Sequence, residues 1–192
     1  GRYDGFDIRE DGILWCRQKI TPRFPRFHFK HIPLRNSEYL PDEDEDPASF
    51  VFPYPSRHFD FVIATSVFTH LDGAVVCRYL DEINRVLKPG GRMAATFFLY
   101  SRDSKPHELR LAQHLDFPYR FSYYRLQVAE NPDAAVAYEE SWVTAQCERR
   151  GLHIRWPVRH DFQDIIVAEK KRPLPPGKRW REFRRRLFRS RD

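Results

Sequence analysis

Apolar and polar positions along this chain follow two different periods, and each switch between them marks an element. Tyr3 to Ile8 is a short apolar run ending beside an acid, and it reads as the end of a strand. From Arg9 to Ile20 the apolar positions Ile13, Cys16 and Ile20 fall at i, i+3 and i+7, which predicts a helix, and Thr21-Pro22 closes it. Phe24 to Ile32 alternates through Phe27 and Phe29, a second strand. Phe59 to Ala64 is a near-continuous apolar run, as expected of a strand buried on both faces. Asp72 then offers an N-cap, and Val76, Tyr79, Leu80, Ile83 and Leu87 share one helical face up to Pro89-Gly90-Gly91. Arg92 to Tyr100 predicts another buried strand. A helix from about Tyr138 to Arg150 stops at Gly151, and the runs Leu152–Val158 and Phe162–Glu169 are close enough to pair as a hairpin. This alternation of strand and helix predicts an α/β fold with a mostly parallel sheet.

Between the second and third strands, Asn36 to Arg57 is proline-rich and carries the acidic block Asp42 to Asp46, which reads as a solvated loop. Calcium ligation there is rejected, because ligands regularly spaced around a turning glycine are absent. With 192 residues the chain has the size of one domain. No stretch reaches the roughly 20 apolar residues of a membrane-spanning helix. Cys16, Cys77 and Cys147 are isolated, so a reduced, cytoplasmic setting is expected and cysteine-bound metal is not.

The net charge of +6 is unevenly spread: from Lys170 onward the chain carries +9, leaving −3 for the rest. Affinity for phosphates is thereby confined to an appendage. In that appendage Trp180, Phe183 and Leu187 fall at i, i+3 and i+7, a short basic amphipathic helix. It could touch an anionic membrane or RNA without DNA specificity, lead into another domain, or be a solvated tail.

Taken in order, "GFDI", "FDFVIATSVFTHL", "RVLKPGG" and "FQDIIVAEK" resemble the class I S-adenosylmethionine-dependent methyltransferases. The resemblance covers residues 1–169 and implies a Rossmann-like sheet ending in an antiparallel hairpin, with 170–192 as a separate tail. It implies that Asp7 holds the ribose hydroxyls of S-adenosylmethionine, with Ile8 beside the adenosine. Ala64, Thr65 and Phe68 would line the methionine and adenine side. On the local residues alone, Asp7 reads first as a cap of the helix that follows it, and only the other motifs shift that reading to the ribose.

Two features depart from the family's pattern. Where the third strand of the family ends on an acid, this chain has Ile32-Pro33-Leu34. The family's first strand, its glycine-rich turn and its first helix should precede Tyr3, so the chain is expected to be a fragment lacking them. Methyl transfer to oxygen calls for a base near neutral pH, and His70 and His107 are the histidines positioned for that role after the fourth and fifth strands of the family. For both, a structural or surface histidine is the alternative. His28 and His31 of "FHFKH" would not share a strand face, which argues against zinc. Phe117, Tyr119, Phe121 and Tyr123 recur every second residue, so an extended chain would present one aromatic face, flanked by Arg120 and Arg125, either to a glycan or other small-molecule acceptor or as an aromatic lid completing the core. The rival reading is an inactive methyltransferase-like binding module attached through its basic tail.

Overall fold

The computed structural model describes residues 1–101, 115–158 and 163–172, the side chains of 156–158 excepted. The strand β1 (Tyr3–Asp7) runs into the helix α1 (Glu10–Lys19) and returns as β2 (Phe27–His31). The two strands pair in parallel from Tyr3 opposite Phe27 to Asp7 opposite His31. A long loop leads to β3 (Phe59–Ala64), a short 3-10 turn (Phe68–His70), the helix α2 (Gly73–Val86) and the long strand β4 (Leu87–Tyr100). Three short strands, β5 (Tyr119–Arg120), β6 (Tyr124–Leu126) and β7 (Val136–Glu139), precede the helix α3 (Glu140–Arg149), and β8 (Leu152–Val158) and β9 (Asp164–Lys170) close the chain's described part.

These strands form two sheets, because no ladder joins β1 to β3 among the described residues. In the larger sheet β4 is the axis. Its first half pairs in parallel with β3 and antiparallel with β9, and its last three residues, Phe98 to Tyr100, pair in parallel with β7. The β8–β9 hairpin is antiparallel, as the sequence predicts. Both α1 and α2 fall within about a residue of their expected bounds. The Asp72 carboxylate accepts hydrogen bonds from the amides of Ala74 and Val75 at 2.7 and 2.9 Å, so the predicted N-cap is made. At the other end α2 stops at Val86, before "KPGG". Gly90 there takes φ +82°, and a side chain on Gly91 would press within 2.9 Å of the Lys88 carbonyl oxygen.

Val76, Leu80, Ile83 and Val86 on α2 pack over Met93, Phe97 and Leu99 of β4, forming the main core. The phenyl ring of Phe68 completes it, stacked on Phe97 with centroids 4.7 Å apart. On α3, Val143 and Cys147 face the same core, and the Tyr138, Trp142 and Tyr123 rings stack in series.

The loop after β2 is less solvated than its composition suggests, since Leu34, Phe50 and Phe52 are buried. It is tied to α2 through Glu82 and Arg85. Glu82 accepts from the Phe52 amide at 2.8 Å and from Arg85, whose guanidinium also donates to the Phe52 and Tyr54 carbonyls at 2.9 and 2.8 Å. Burial alone would raise the Glu82 carboxyl, but Arg85 and the Phe52 amide outweigh it and hold that group below its ordinary range.

Three expectations need correction. The β3 strand is not buried on both faces: Phe61 and Ile63 are 53% and 55% exposed, because no described element covers that side. Residues 117–123 do not present a single aromatic face, because the chain turns between β5 and β6 and the Phe121 amide bonds back to the Tyr124 carbonyl at 2.9 Å. Phe117 is thereby buried, Tyr119 and Phe121 are exposed, and Tyr123 joins the Trp142 stack. The expected start of the last helix, Tyr138, is instead in β7. No helix among the described residues is long and apolar enough to cross a membrane. The expected tail helix at Trp180, Phe183 and Leu187 lies outside the described residues.

Candidate cofactor and acceptor site

Parallel strands of an α/β sheet point their carboxyl ends at one edge, and ligands of such folds bind there. At that edge, β1 and β3 open a cavity of about 270 Å³ lined by Phe6, Asp7, Ile8, Tyr39, Thr65 and His70, among others. Asp7, Ile8, Thr65 and His70 are thus brought together from segments about sixty residues apart in sequence. Ala64 and Phe68 are not among the lining residues of this cavity.

Asp7 is the last residue of β1 and is exposed. Its Oδ1 accepts from the Arg9 amide at 2.8 Å, so the carboxylate supports the entry to α1. Among the described residues no partner is recorded for Oδ2, which leaves a charged acceptor at the cavity. The backbone here is pinned by β2: the Ile32 amide donates to the Asp7 carbonyl at 3.0 Å, and His31 Nε2 lies 3.0 Å from the Ile8 carbonyl. A carbonyl only accepts, so His31 Nε2 carries the proton and the ring serves the main chain.

After β3 the chain turns sharply through Ser66, a non-glycine residue at φ +54°. A left-handed residue of this kind costs roughly 1–2 kcal/mol. The Ser66 amide donates to Thr96 Oγ1 at 2.7 Å, and its hydroxyl lies 3.2 Å from Gln163 Oε1, contacts that hold the turn to β4 and to the segment leading into β9. From this turn the 3-10 segment sends Phe68 inward beneath α2, which is why that residue belongs to the core and not to the cavity wall. Ala64 faces the neighbouring cleft described below.

His70 is half-buried, with Nδ1 2.8 Å from the Asp133 carbonyl and its ring edge-on to Tyr39 at 5.5 Å. Tyr39 stands on a loop closed by mutual hydrogen bonds between Asn36 and Leu40. Asn36 Oδ1 accepts from the Glu38 and Tyr39 amides, and its Nδ2 donates to the His70 carbonyl at 3.3 Å. The Arg9 guanidinium lies over the Tyr39 ring at 5.7 Å. Sequence reasoning missed Tyr39, Ser66 and Asp133; the only local signal was Asn36, whose side chain favours such turns. Leu34, the last residue of Ile32-Pro33-Leu34, is buried in the core.

Two phenols near the cavity are removed from acid–base work. Burial raises that of Tyr79, and burial together with nearby anionic groups raises that of Tyr138, which donates to the Leu71 carbonyl. His107 lies outside the described residues.

A second opening of about 190 Å³ separates the two sheets, lined by Tyr3, Asp4 and Phe6 from β1 and by Phe61, Val62 and Ala64 from β3. The facing edges of β1 and β3 carry no ladder partner among the described residues. The Asp4 side chain is only 3% exposed and is held by Arg2 at 2.7 and 2.9 Å. Among the described residues the buried Tyr54 hydroxyl has no hydrogen-bond partner, and its phenol is pushed up to about 12, by burial first and then by Asp4.

The strand order and the position of the cavity define the fold as the α/β type of class I methyltransferases, with a curled mixed sheet. Residues 2–95 match the family described as a methyltransferase domain. A fatty-acid O-methyltransferase of Mycolicibacterium smegmatis is 27% identical over 107 residues, 54% of this chain and 29% of that protein. The match therefore spans less than a third of the curated relative's length. Among solved structures, an S-adenosylmethionine-dependent methyltransferase from Methanosarcina mazei superposes with a TM-score of 0.57 at 19% identity, covering 88% of this chain and 82% of that one. A 1,6-didemethyltoxoflavin N1-methyltransferase from Burkholderia thailandensis, solved with S-adenosylhomocysteine, gives a TM-score of 0.55 at 12% identity, covering 88% and 61%.

Proposed function

We propose that this chain carries the cofactor-binding part of an S-adenosylmethionine-dependent methyltransferase that methylates an oxygen of a small-molecule or glycan acceptor. The observation that carries the reading is one cavity whose lining includes both Asp7 and His70 together with apolar side chains. S-adenosylmethionine supplies an activated methyl group, so the protein's task is positioning and, for a hydroxyl acceptor, removal of a proton. The residues present fit the cofactor: Asp7 Oδ2 is open to a ribose hydroxyl, and Phe6, Ile8, Val67 and Leu71 offer apolar surface for the adenosine. Thr65 and Ser66 form the rim nearest β3. His70 is the base, and the name of the mycolicibacterial relative supports oxygen as the atom modified. A glycan is favoured by the exposed aromatic rings of Tyr119 and Phe121, the latter stacked on Tyr124 at 4.5 Å. The free thiols of Cys16, Cys77 and Cys147 support a reducing, cytoplasmic setting.

The cavity is near the lower limit of ligand pockets, commonly about 300–1,000 Å³. It shares Phe6, Val67 and Tyr79 with the cleft between the sheets. A further parallel strand seated in that cleft would pair with both open edges and bring backbone to the cofactor's methionine end. Calorimetry with S-adenosylhomocysteine tests both points, on this chain and on a fusion placing a methyltransferase strand–turn–helix unit ahead of Tyr3. Binding that appears or tightens in the fusion supports the completed wall, and Asp7→Ala should weaken it by about 1.5–3 kcal/mol. Absence of binding in both proteins sinks the cofactor reading, and affinity unchanged by Asp7→Ala removes Asp7 from the site.

A further inference from the structure

His70 lies where two segments distant in sequence are fastened together. Ser37 donates its amide and its hydroxyl to Asp133 Oδ2, both at 2.7 Å. The Ser37 hydroxyl also lies 2.8 Å from Asn131 Oδ1, and Asn131 Nδ2 donates to the Glu38 carboxylate. The loop after β2 and the turn before β7 are thus joined by a compact polar latch, although more than ninety residues separate them. The ring of His70 is gripped from both sides of that latch. Asp133, from one segment, gives its carbonyl to Nδ1 at 2.8 Å, while Asn36 and Tyr39, from the other, hold the His70 carbonyl and its ring edge.

This arrangement has a chemical consequence. A carbonyl oxygen can only accept, so Nδ1 must carry the hydrogen. In the neutral ring Nε2 is then the unprotonated nitrogen, and no partner is recorded for it among the described residues. A solvated imidazole prefers the opposite tautomer, with the hydrogen on Nε2, which would leave no lone pair there to take a proton. We propose that the latch formed by Ser37, Asn131 and Asp133 is a positioning device that fixes the tautomer of His70 and presents Nε2 as the proton acceptor. The inference rests on the methyltransferase reading for the identity of the reaction, but not for the tautomer. In the step concerned, the acceptor hydroxyl's proton passes to Nε2 while the oxygen keeps the electron pair. The resulting imidazolium is steadied by the Asp133 carbonyl, and it returns the proton to water.

The nitrogen shifts of a ¹⁵N-histidine-labelled chain, followed by long-range proton–nitrogen correlation above the titration of the ring, read the tautomer directly. His70 should show a pyridine-like Nε2 and a pyrrole-like Nδ1. Asp133→Ala removes both Ser37 contacts but leaves the main-chain carbonyl in place, so the pattern should move toward the solvated tautomer. Asp133→Asn, which keeps a side-chain acceptor, should restore it. Ser37→Ala, a milder change at an exposed position, should shift the pattern in the same direction and covers the case in which Asp133→Ala does not fold. A pyrrole-like Nε2 in the unaltered chain overturns the proposal, as does a tautomer indifferent to both Asp133→Ala and Ser37→Ala. Failure to bind S-adenosylhomocysteine alongside the expected tautomer would fault the cofactor reading and support the latch.

Discussion

The neighbouring strands β3 and β4 look alike as sequence and live in opposite surroundings. Both are apolar runs, "FDFVIA" and "RMAATFFLY", and both are expected to be buried on their two faces. β4 meets this: it has ladder partners on both edges, and Met93, Phe97, Phe98 and Leu99 are all buried. β3 pairs only with β4, turns its other edge to the cleft and leaves Phe61 and Ile63 half exposed. An apolar run therefore records the surroundings in which a strand is stable, and the described residues supply those surroundings for one strand but only half of them for the other.

The contrast can be broken at the β4 side with the largest effect. Phe97→Ala removes a fully buried ring that stacks on Phe68, and should cost about 3–5 kcal/mol in urea denaturation. Next comes the tie between α2 and the loop that covers the same side. Glu82→Gln removes the charge from a buried carboxylate bonded to Arg85 and the Phe52 amide, and should cost about 1–3 kcal/mol at neutral pH. Because the folded carboxyl lies below its ordinary value, its contribution is complete above the range of a free glutamate. It is lost as pH falls through the folded value. Denaturation at a series of acid pH values should therefore show a flatter decline for Glu82→Gln than for the unaltered chain. Asp72→Ala removes two amide contacts at the start of α2 and should cost about 1 kcal/mol. Phe61→Ala, on the open face of β3, should cost about 1 kcal/mol or less, since roughly half of its burial is already forgone. A loss as large as that of Phe97→Ala would show that the β3 face is covered in solution.

Elements with a local stop signal were legible from the sequence. β3 stands out by its near-continuous apolar run, and α2 with its Asp72 cap and the β8–β9 hairpin by a pattern closed with a cap or a short connection. β7 was hidden because Tyr138 and Trp142 lie four apart and mimic a helical stripe; the ladder to β4 at Phe98–Tyr100 decides otherwise. Burial of Phe50 and Phe52 in a proline-rich loop was equally hidden, since it depends on Glu82 and Arg85, some thirty residues away. In the candidate site, Asp7 at the end of β1 and His70 after β3 carry a signal in the sequence, whereas Tyr39 and Asp133 come to His70 from loops whose paths follow no period. Phe68 shows the opposite limit: a position beside the pocket in sequence was turned away from it by one short 3-10 segment.

Cys147, facing the core from α3 against β8, has its thiol pushed up to about 12, chiefly by burial. Thiolate is the form that alkylating reagents attack, so this sulfur stays silent while the helix is seated. With Cys16 and Cys77 replaced by serine, the rate at which Cys147 takes up iodoacetamide becomes a clock for the local opening of α3.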